Sequence, residues 1–352
     1  MEKSKVFPGN TIIIIVALAF LLAGFVSATQ GQRASEMPSL GGATGWLNAE
    51  PLKLAGLRGK VVLIDFWTYT CINWRRTLPY IRAWAAKYKD QGLVVIGVHT
   101  PEFSFEHNTG NISEAATEMK IGYPIAIDDN YAIWKAFRNE YWPALYFIDA
   151  QGRIRHHHFG EGGYQESEKF IQQLLTEAGV KGVSTGLVSV DARGAEAPAD
   201  WGSLQSGENY VGYGRTTNFS SPGGAQTDRA ELYAAPAQLT LNQWALSGDW
   251  TIGTEATVLN KANGRMLYCF HARDLQLVMG PSATGTPIRF RVLIDGRVPG
   301  ADHGVDIDSQ GNGKVTEPRM YQLIRQQGAI VDRLFEIEFL DPGAATFSFT
   351  FG

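Results

Sequence analysis

Hydrophobic positions along the chain follow two different rhythms, which meet near residue 200. Between 46 and 180, apolar runs alternate with segments of helical spacing. KVVLIDFW (60–67) and LVVIGVHT (93–100) are nearly continuous apolar runs, as expected of central strands covered on both faces. INWRRTLPYIRAWAAKY (72–88) places Leu78, Ile81, Trp84 and Ala85 on one helical face, with Pro79 inside it as a kink. A short helix is expected over 112–122, an extended piece over 123–129 and a helix over 130–137. Residues 143–159 read as a hairpin turning at Ala150-Gln151-Gly152, and 164–179 as a closing amphipathic helix stopped by Gly179. Alternation of this kind predicts an α/β layered domain. Beyond about 203 the helical spacing disappears. FRVLID, LFEIEFL and TFSFTFG carry period-two patterning between Gly and Pro turns, which predicts a β-sandwich. In the last of these, Phe347, Phe349 and Phe351 are expected on one side.

The ends and joints are distinct in composition. Residues 1–28 hold Lys3, Lys5 and an apolar run ending in Val26-Ser27-Ala28, the pattern of a signal peptide or membrane anchor; either would export the rest of the chain. Residues 29–45 read as a tether and 181–202 as a linker, leaving 46–180 for the α/β domain and 203–352 for the sandwich. With 44% hydrophobic and 19% charged residues and a net charge of −4, the chain suits two cored domains and lacks the basic face that nucleic acid requires. Membrane contact is expected only through the N-terminal segment.

Only two cysteines occur, Cys71 and Cys269, and they fall in different expected domains, so each is read as separate. Cys71 follows a buried strand and opens a helix, where the helix end and Arg75 are expected to lower its pKa. In DFWTYTCINW the sequence resembles the thioredoxin-like fold, whose motif is an acidic residue, Phe and Trp ahead of Cys-x-x-Cys at a helix start. The resemblance puts Asp65 on the family's buried proton-transfer carboxylate, Trp67 on its motif tryptophan and Cys71 on its nucleophile. It puts Pro79 on the helix-kink proline and Trp142-Pro143 on the cis-proline loop that holds substrate backbone. The insertion at 112–122 is similar to the exported, membrane-tethered TlpA/ResA branch. VHTPEF, YPIAIDDNYAIW and YWPALYFIDAQGRIRHHHFGEG resemble the exported redoxin portion of DipZ-type proteins. WALSGDWTIG, FHARDLQLVMGP and VTEPRMYQLIRQ resemble the jelly-roll-like, carbohydrate-binding-module-like sandwich that comes after it there.

The departure from the family falls at Trp74, where the second cysteine is expected. In a dithiol enzyme that second thiol resolves the mixed disulfide, and an indole cannot. Its ring is expected to shield the sulfur on one side. Three readings stay open: a monothiol oxidoreductase acting through Cys71, a non-catalytic binding module, and a one-cysteine peroxidase suggested by Thr68 three residues before Cys71. Catalytic candidates are Cys71, Asp65 and Arg75; Trp67, Trp74, Trp142 and Pro143 are candidates for the substrate groove. Expected partners are protein thiols or disulfides of the cell envelope, or a small external thiol. No cofactor or metal is expected: His156 and His158 share a strand face without a further ligand, and DIDSQGNGKVTE (306–317) reads as a turn more readily than as a calcium loop. Trp244, Trp250 and Tyr268 offer a candidate carbohydrate platform, against the simpler reading as sandwich core.

Overall fold

The computed structural model describes residues 35–281 and 285–352, so the expected signal or anchor segment lies outside the described residues. Among the described residues no helix is long and apolar enough to cross a membrane.

The first sheet has six strands: β1 (Gly45–Leu47), β2 (Val61–Trp67), β3 (Leu93–His99), β4 (Ile125–Ile127), β5 (Ala144–Ile148) and β6 (Ile154–Phe159), in the order β1-β4-β3-β2-β5-β6. The three strands β2, β3 and β4 are parallel, while β5 runs antiparallel to β2 and β6 to β5. Every residue of β2 is buried, because helices cover both faces of the sheet centre. The helices are α1 (Leu54–Leu57), α2 (Ile72–Tyr88), α3 (Thr109–Glu118), α4 (Ala132–Phe137) and α5 (Tyr164–Glu177). Helix α2 contains Pro79 and buries Leu78, Ile81 and Trp84, the face its spacing predicted. Residues 35–45, expected as a free tether, pack on this domain: the Met37 amide donates to the Gly152 carbonyl, and Met37 and Leu40 enter the core.

From Asn209 to Phe351 the chain is all strand and turn. Its strands form one path that folds on itself into two layers, with Tyr268 and Phe335 of one layer meeting Phe349 of the other at 4.9 and 5.9 Å between ring centroids. The strand Trp244–Ile252 belongs to both layers and bends at Gly248, whose φ is 102°. A Cβ at Gly248 would come within 2.9 Å of the Gly264 Cα, so only glycine fits the bend. Trp244, Trp250 and Tyr268 lie inside this core and present no face to a sugar, which removes them as a carbohydrate platform.

The sandwich packs against the start of α2. Strands Asp274–Pro281 and Ala344–Phe351 pair with a register shift at Val278/Met279 that leaves Phe347 as an extra, bulged residue. The bulge reverses the side on which Phe347 emerges. Phe349 and Phe351 stay in the sandwich core, whereas Phe347 joins Val278 and Met320 against Ile72, Phe103 and Phe105 of the first domain. Its ring centroid lies 5.3 Å from that of Phe103 and 4.8 Å from that of Phe105.

Residues 181–202, expected as a loose linker, run as a strap between the domains. Glu168 on α5 accepts from Lys87, from the Tyr88 hydroxyl and from the Val188 amide, each at 2.7–2.8 Å. Arg82 on α2 makes a two-pronged ion pair with Glu196, and Arg325 of the sandwich donates to the Gly194 carbonyl at 3.0 Å.

Phe347→Ala should cost about 3–5 kcal/mol, the usual effect of emptying a buried phenylalanine site, and should loosen this seam first. Differential hydrogen exchange of 101–106 and 276–280 checks it; unchanged exchange in both segments would show that the seam does not depend on this ring.

Candidate functional site

Strand β2 delivers Asp65, Phe66 and Trp67 to the sheet centre, and the turn 68–71 then leads into α2, with Cys71 as its N-cap residue. Asp65, expected as the family's proton-transfer carboxylate but without its resolving thiol, is met instead by the indole at 74. Trp74 is fully buried, and its indole N–H donates to both Asp65 carboxylate oxygens at 3.2 and 3.1 Å. The Tyr123 hydroxyl donates to the same carboxylate at 3.3 Å. Burial pushes the Asp65 carboxyl up to about 7, and the Trp74 and Tyr123 hydrogen bonds pull it only partly back.

This geometry corrects two expectations. Trp74 is fully buried and lines no groove: its ring lies flat on Trp67, centroids 4.4 Å apart, in the cluster against which Cys71 packs. Trp67 is fully buried as well, held edge-on to His99 at 4.9 Å, so neither tryptophan contacts a substrate. His99 is itself buried with both ring nitrogens unpartnered, and burial drives it down to about 3, a neutral imidazole.

Cys71 is unpaired and part-exposed, and Cys269 is likewise unpaired but buried in the sandwich. The Cys71 thiol approaches the Trp142 carbonyl at 3.7 Å, on the loop where Trp142-Pro143 is cis. The structure therefore brings Cys71, Trp142 and Pro143 together as the resemblance implies. The expected lowering of the thiol pKa is not found. Burial first, then the Glu102 carboxylate, push it well above the ordinary cysteine value; the Trp74 and Asn73 amides of the helix end oppose them, and Glu208 adds to the rise. Arg75 does not supply the expected compensation. The charges that act on it are Arg319, Asp306, Glu196 and Glu118, and it lines a small cavity with Glu118 and Arg319.

Several residues that shape the site carried no signal in the sequence. Glu106 is buried beside the turn, accepting from Thr70 at 2.6 Å and from the Phe103 amide at 3.0 Å, and burial raises it to about 7. Glu102 accepts from the Tyr210 hydroxyl and, at 3.2 Å, from Arg215, both of the sandwich. The Arg215 guanidinium in turn lies 3.4 Å over the Tyr210 ring. These residues border a cleft of about 400 Å³ between the domains, walled by Glu102, Tyr131 and Trp142 on one side and by Tyr210, Gly212, Arg215 and Glu255 on the other. At Gly212 a Cβ would meet the Glu255 carbonyl at 2.5 Å, so that wall needs glycine.

The remaining motifs are structural. His156 and His157 are exposed on β6. In the 306–317 loop, Asp306 accepts from Arg319 and the Gln322 amide, Asp308 accepts from the Gln310 and Asn312 amides, and Glu317 pairs with Arg319.

A carboxyl whose pKa is raised on folding gives stability that is complete below its unfolded value and is lost as pH rises through the folded one. For Asp65 that window runs from about 4 to about 7. Asp65→Asn keeps an acceptor for the indole and removes the titration. It should therefore melt higher than the parent at pH 8, by up to about 4 kcal/mol, and the gain should vanish by pH 4. Equal melting differences at both pH values would contradict the assignment of Asp65 as the titrating group.

Comparison with known proteins agrees with this geometry. Residues 206–352 match the family described as Thioredoxin like C-terminal domain, and residues 35–157 match the AhpC/TSA family. Protein DipZ of Mycobacterium tuberculosis is 42% identical over 270 residues, 74% of this chain and 37% of that protein. The chain thus spans little more than a third of the length of DipZ. Thiol-disulfide oxidoreductase YkuV of Bacillus subtilis is 37% identical over 141 residues, 40% of this chain and 95% of YkuV. Thiol-disulfide oxidoreductase ResA of Bacillus cereus is 23% identical over 128 residues, 36% of this chain and 71% of ResA. With a strand, a helix-capping cysteine, a buried carboxylate and a cis-proline loop in these positions, the chain belongs to the thioredoxin-like family, in its TlpA/ResA branch and related to DipZ.

Proposed function

We propose that the protein is a monothiol member of the thiol–disulfide oxidoreductases, with Cys71 as its nucleophile, working in the cell envelope on protein disulfides or with a small external thiol. The observation that carries this reading is that Cys71 stays unpaired and part-exposed beside the Trp142 carbonyl while the indole at 74 is engaged by Asp65. The export expectation rests on the N-terminal apolar segment.

The chemistry runs in two exchanges. The Cys71 thiol gives its proton to solvent, and the thiolate attacks one sulfur of a disulfide R–S–S–R′. The Cys71–S–S–R bond forms as the substrate bond breaks, and R′–S⁻ leaves and takes up a proton. Trp74 cannot resolve this mixed disulfide, so the thiolate of a second molecule, R″–SH, attacks it, forming R–S–S–R″ and restoring Cys71. Each step exchanges one disulfide for another with no net electron loss. Asp65, capped by Trp74, holds a proton near neutrality but no longer faces a resolving thiol.

The raised thiol favours one competing reading, a thioredoxin-like binding module with a quiet cysteine. A peroxidase needs a thiolate formed beside a positive charge, and the charges acting on Cys71 from side chains are the carboxylates Glu102 and Glu208.

Two measurements separate these readings. Alkylation of Cys71 should accelerate about tenfold per pH unit from pH 6 to 9, because the thiolate is the reactive species and the thiol stays protonated throughout; a plateau beginning near pH 7 would show a lowered pKa instead. Turnover of a disulfide with added glutathione should be lost in Cys71→Ser, and equal rates for the two proteins would leave only the binding module. Trp74→Cys should create a dithiol that reduces disulfides without an added thiol, at a stability cost of about 3–5 kcal/mol for the emptied indole site. A folded but inactive variant would mean that position 74 is not the missing element.

A further inference from the structure

The cleft between the domains shares Trp142 with Cys71, whose thiol approaches the Trp142 carbonyl at 3.7 Å, and it has a definite chemistry. Three aromatic rings, Tyr131, Trp142 and Tyr210, line it together with the carboxylates Glu102 and Glu255. Glu208 stands nearby, outside the lining: the Glu102 charge acts on it, and its own charge acts on the thiol. One guanidinium, Arg215, opposes them, and it is already committed to Glu102 and to the Tyr210 ring. Glu255 is tied to the Ser104 amide and hydroxyl, which hold it in place without neutralising it. Two lining carboxylates against one guanidinium leave the cleft acidic, and an acidic surround with the aromatic faces of Tyr131 and Trp142 suits ammonium and guanidinium groups. A volume of about 400 Å³ admits a small molecule or one side chain.

We propose that the disulfide partner of Cys71 carries a cationic group, an ammonium or guanidinium beside its sulfur, and that this group seats in the interdomain cleft against Glu102 and Glu255. This rests on Cys71 being the exchanging thiol and adds the substrate class. The sandwich thereby becomes half of the substrate site, since Tyr210, Arg215 and Glu255 all come from it. The same arrangement couples binding to reactivity. Burial is the first cause of the raised thiol and the Glu102 charge the second; a cation bound beside Glu102 offsets that charge and eases ionisation of the sulfur without removing the effect of burial. Anionic disulfides meet the same carboxylates as repulsion and leave the thiol unactivated. A free amino-disulfide and a cysteine flanked by arginine in a peptide share this chemistry.

The test measures mixed-disulfide formation at Cys71 by intact mass at pH 7 and low salt. The probes are cystamine, 2-hydroxyethyl disulfide and 3,3′-dithiodipropionate, with a short Arg-flanked cystinyl peptide as a further arm. Each rate is divided by that for the urea-unfolded chain, which removes the intrinsic reactivity of the reagent. Cystamine should exceed dithiodipropionate by about tenfold or more, with the neutral reagent between them, and the ratio should shrink in high salt. Glu102→Gln and, independently, Glu255→Gln should narrow the ratio, and Glu102→Gln should also quicken the neutral reagent. A cystamine preference without a peptide preference assigns the cleft to small amino-disulfides, and a peptide preference extends it to protein substrates. Normalised rates within twofold for all reagents would overturn the cation site while leaving the exchange reaction standing. If no reagent labels the folded chain although all label the unfolded one, the exchange reading falls, and the cation site with it.

Discussion

A carboxylate buried under a central sheet must find donors or give up its charge, and much of this site derives from how Asp65 meets that demand. Both of its oxygens are taken by one indole N–H and one by a tyrosine hydroxyl. To reach them, Trp74 has to swing inward from the first turn of α2 and lie flat against Trp67. A position that would carry a resolving thiol has become a core donor, and Cys71 is left facing the Trp142 carbonyl.

The second domain completes what the first leaves open. A single extra residue in the strand pairing turns Phe347 outward onto Phe103 and Phe105, and the same loop carries Glu102 beside the thiol. The strap from 181 to 202 ties α2 and α5 to the sandwich through Glu168, Glu196 and the Gly194 carbonyl. Helix start, cis-proline loop and sandwich wall are thus held in one frame. A thiol placed there takes its electrostatics from both halves of the chain.

The layered domain and the sandwich were legible because burial on two faces and on one face leave different periods, and those periods survive in KVVLIDFW and LFEIEFL. The positions of Cys71, Asp65 and the cis-proline loop were legible from one short motif. Directions were not. Position 74 is one helical turn from Cys71, so spacing alone puts its ring beside the sulfur; only the unmet need of Asp65, across the strand–helix junction, turns its N–H to that carboxylate. Arg75 was assigned to the thiol by proximity in sequence, whereas the opposing charges that hold it are on the sandwich, the strap and α3. The alternation of Phe347, Phe349 and Phe351 is perfect in the sequence, and a bulge breaks it, since one slipped residue changes the face. Glu102 and Glu106 look like ordinary loop acids. Their roles come from Tyr210, Arg215 and the buried turn, more than a hundred residues away or hidden by burial.

The raised thiol is best understood as a contest of magnitudes. A helix N-terminus contributes roughly 0.3–1 kcal/mol to an anion, less than one pKa unit. Removing a thiolate from water and setting it near carboxylates acts in the other direction and more strongly. The amides of Asn73 and Trp74 do point their weight toward the thiolate, and they are outweighed by burial and Glu102. A second domain packed over the helix start excludes water and brings Glu208 with it, while Glu102 comes from the first domain's own loop. Reactivity in this architecture is set less by the helix than by whatever charge occupies the space between the two domains.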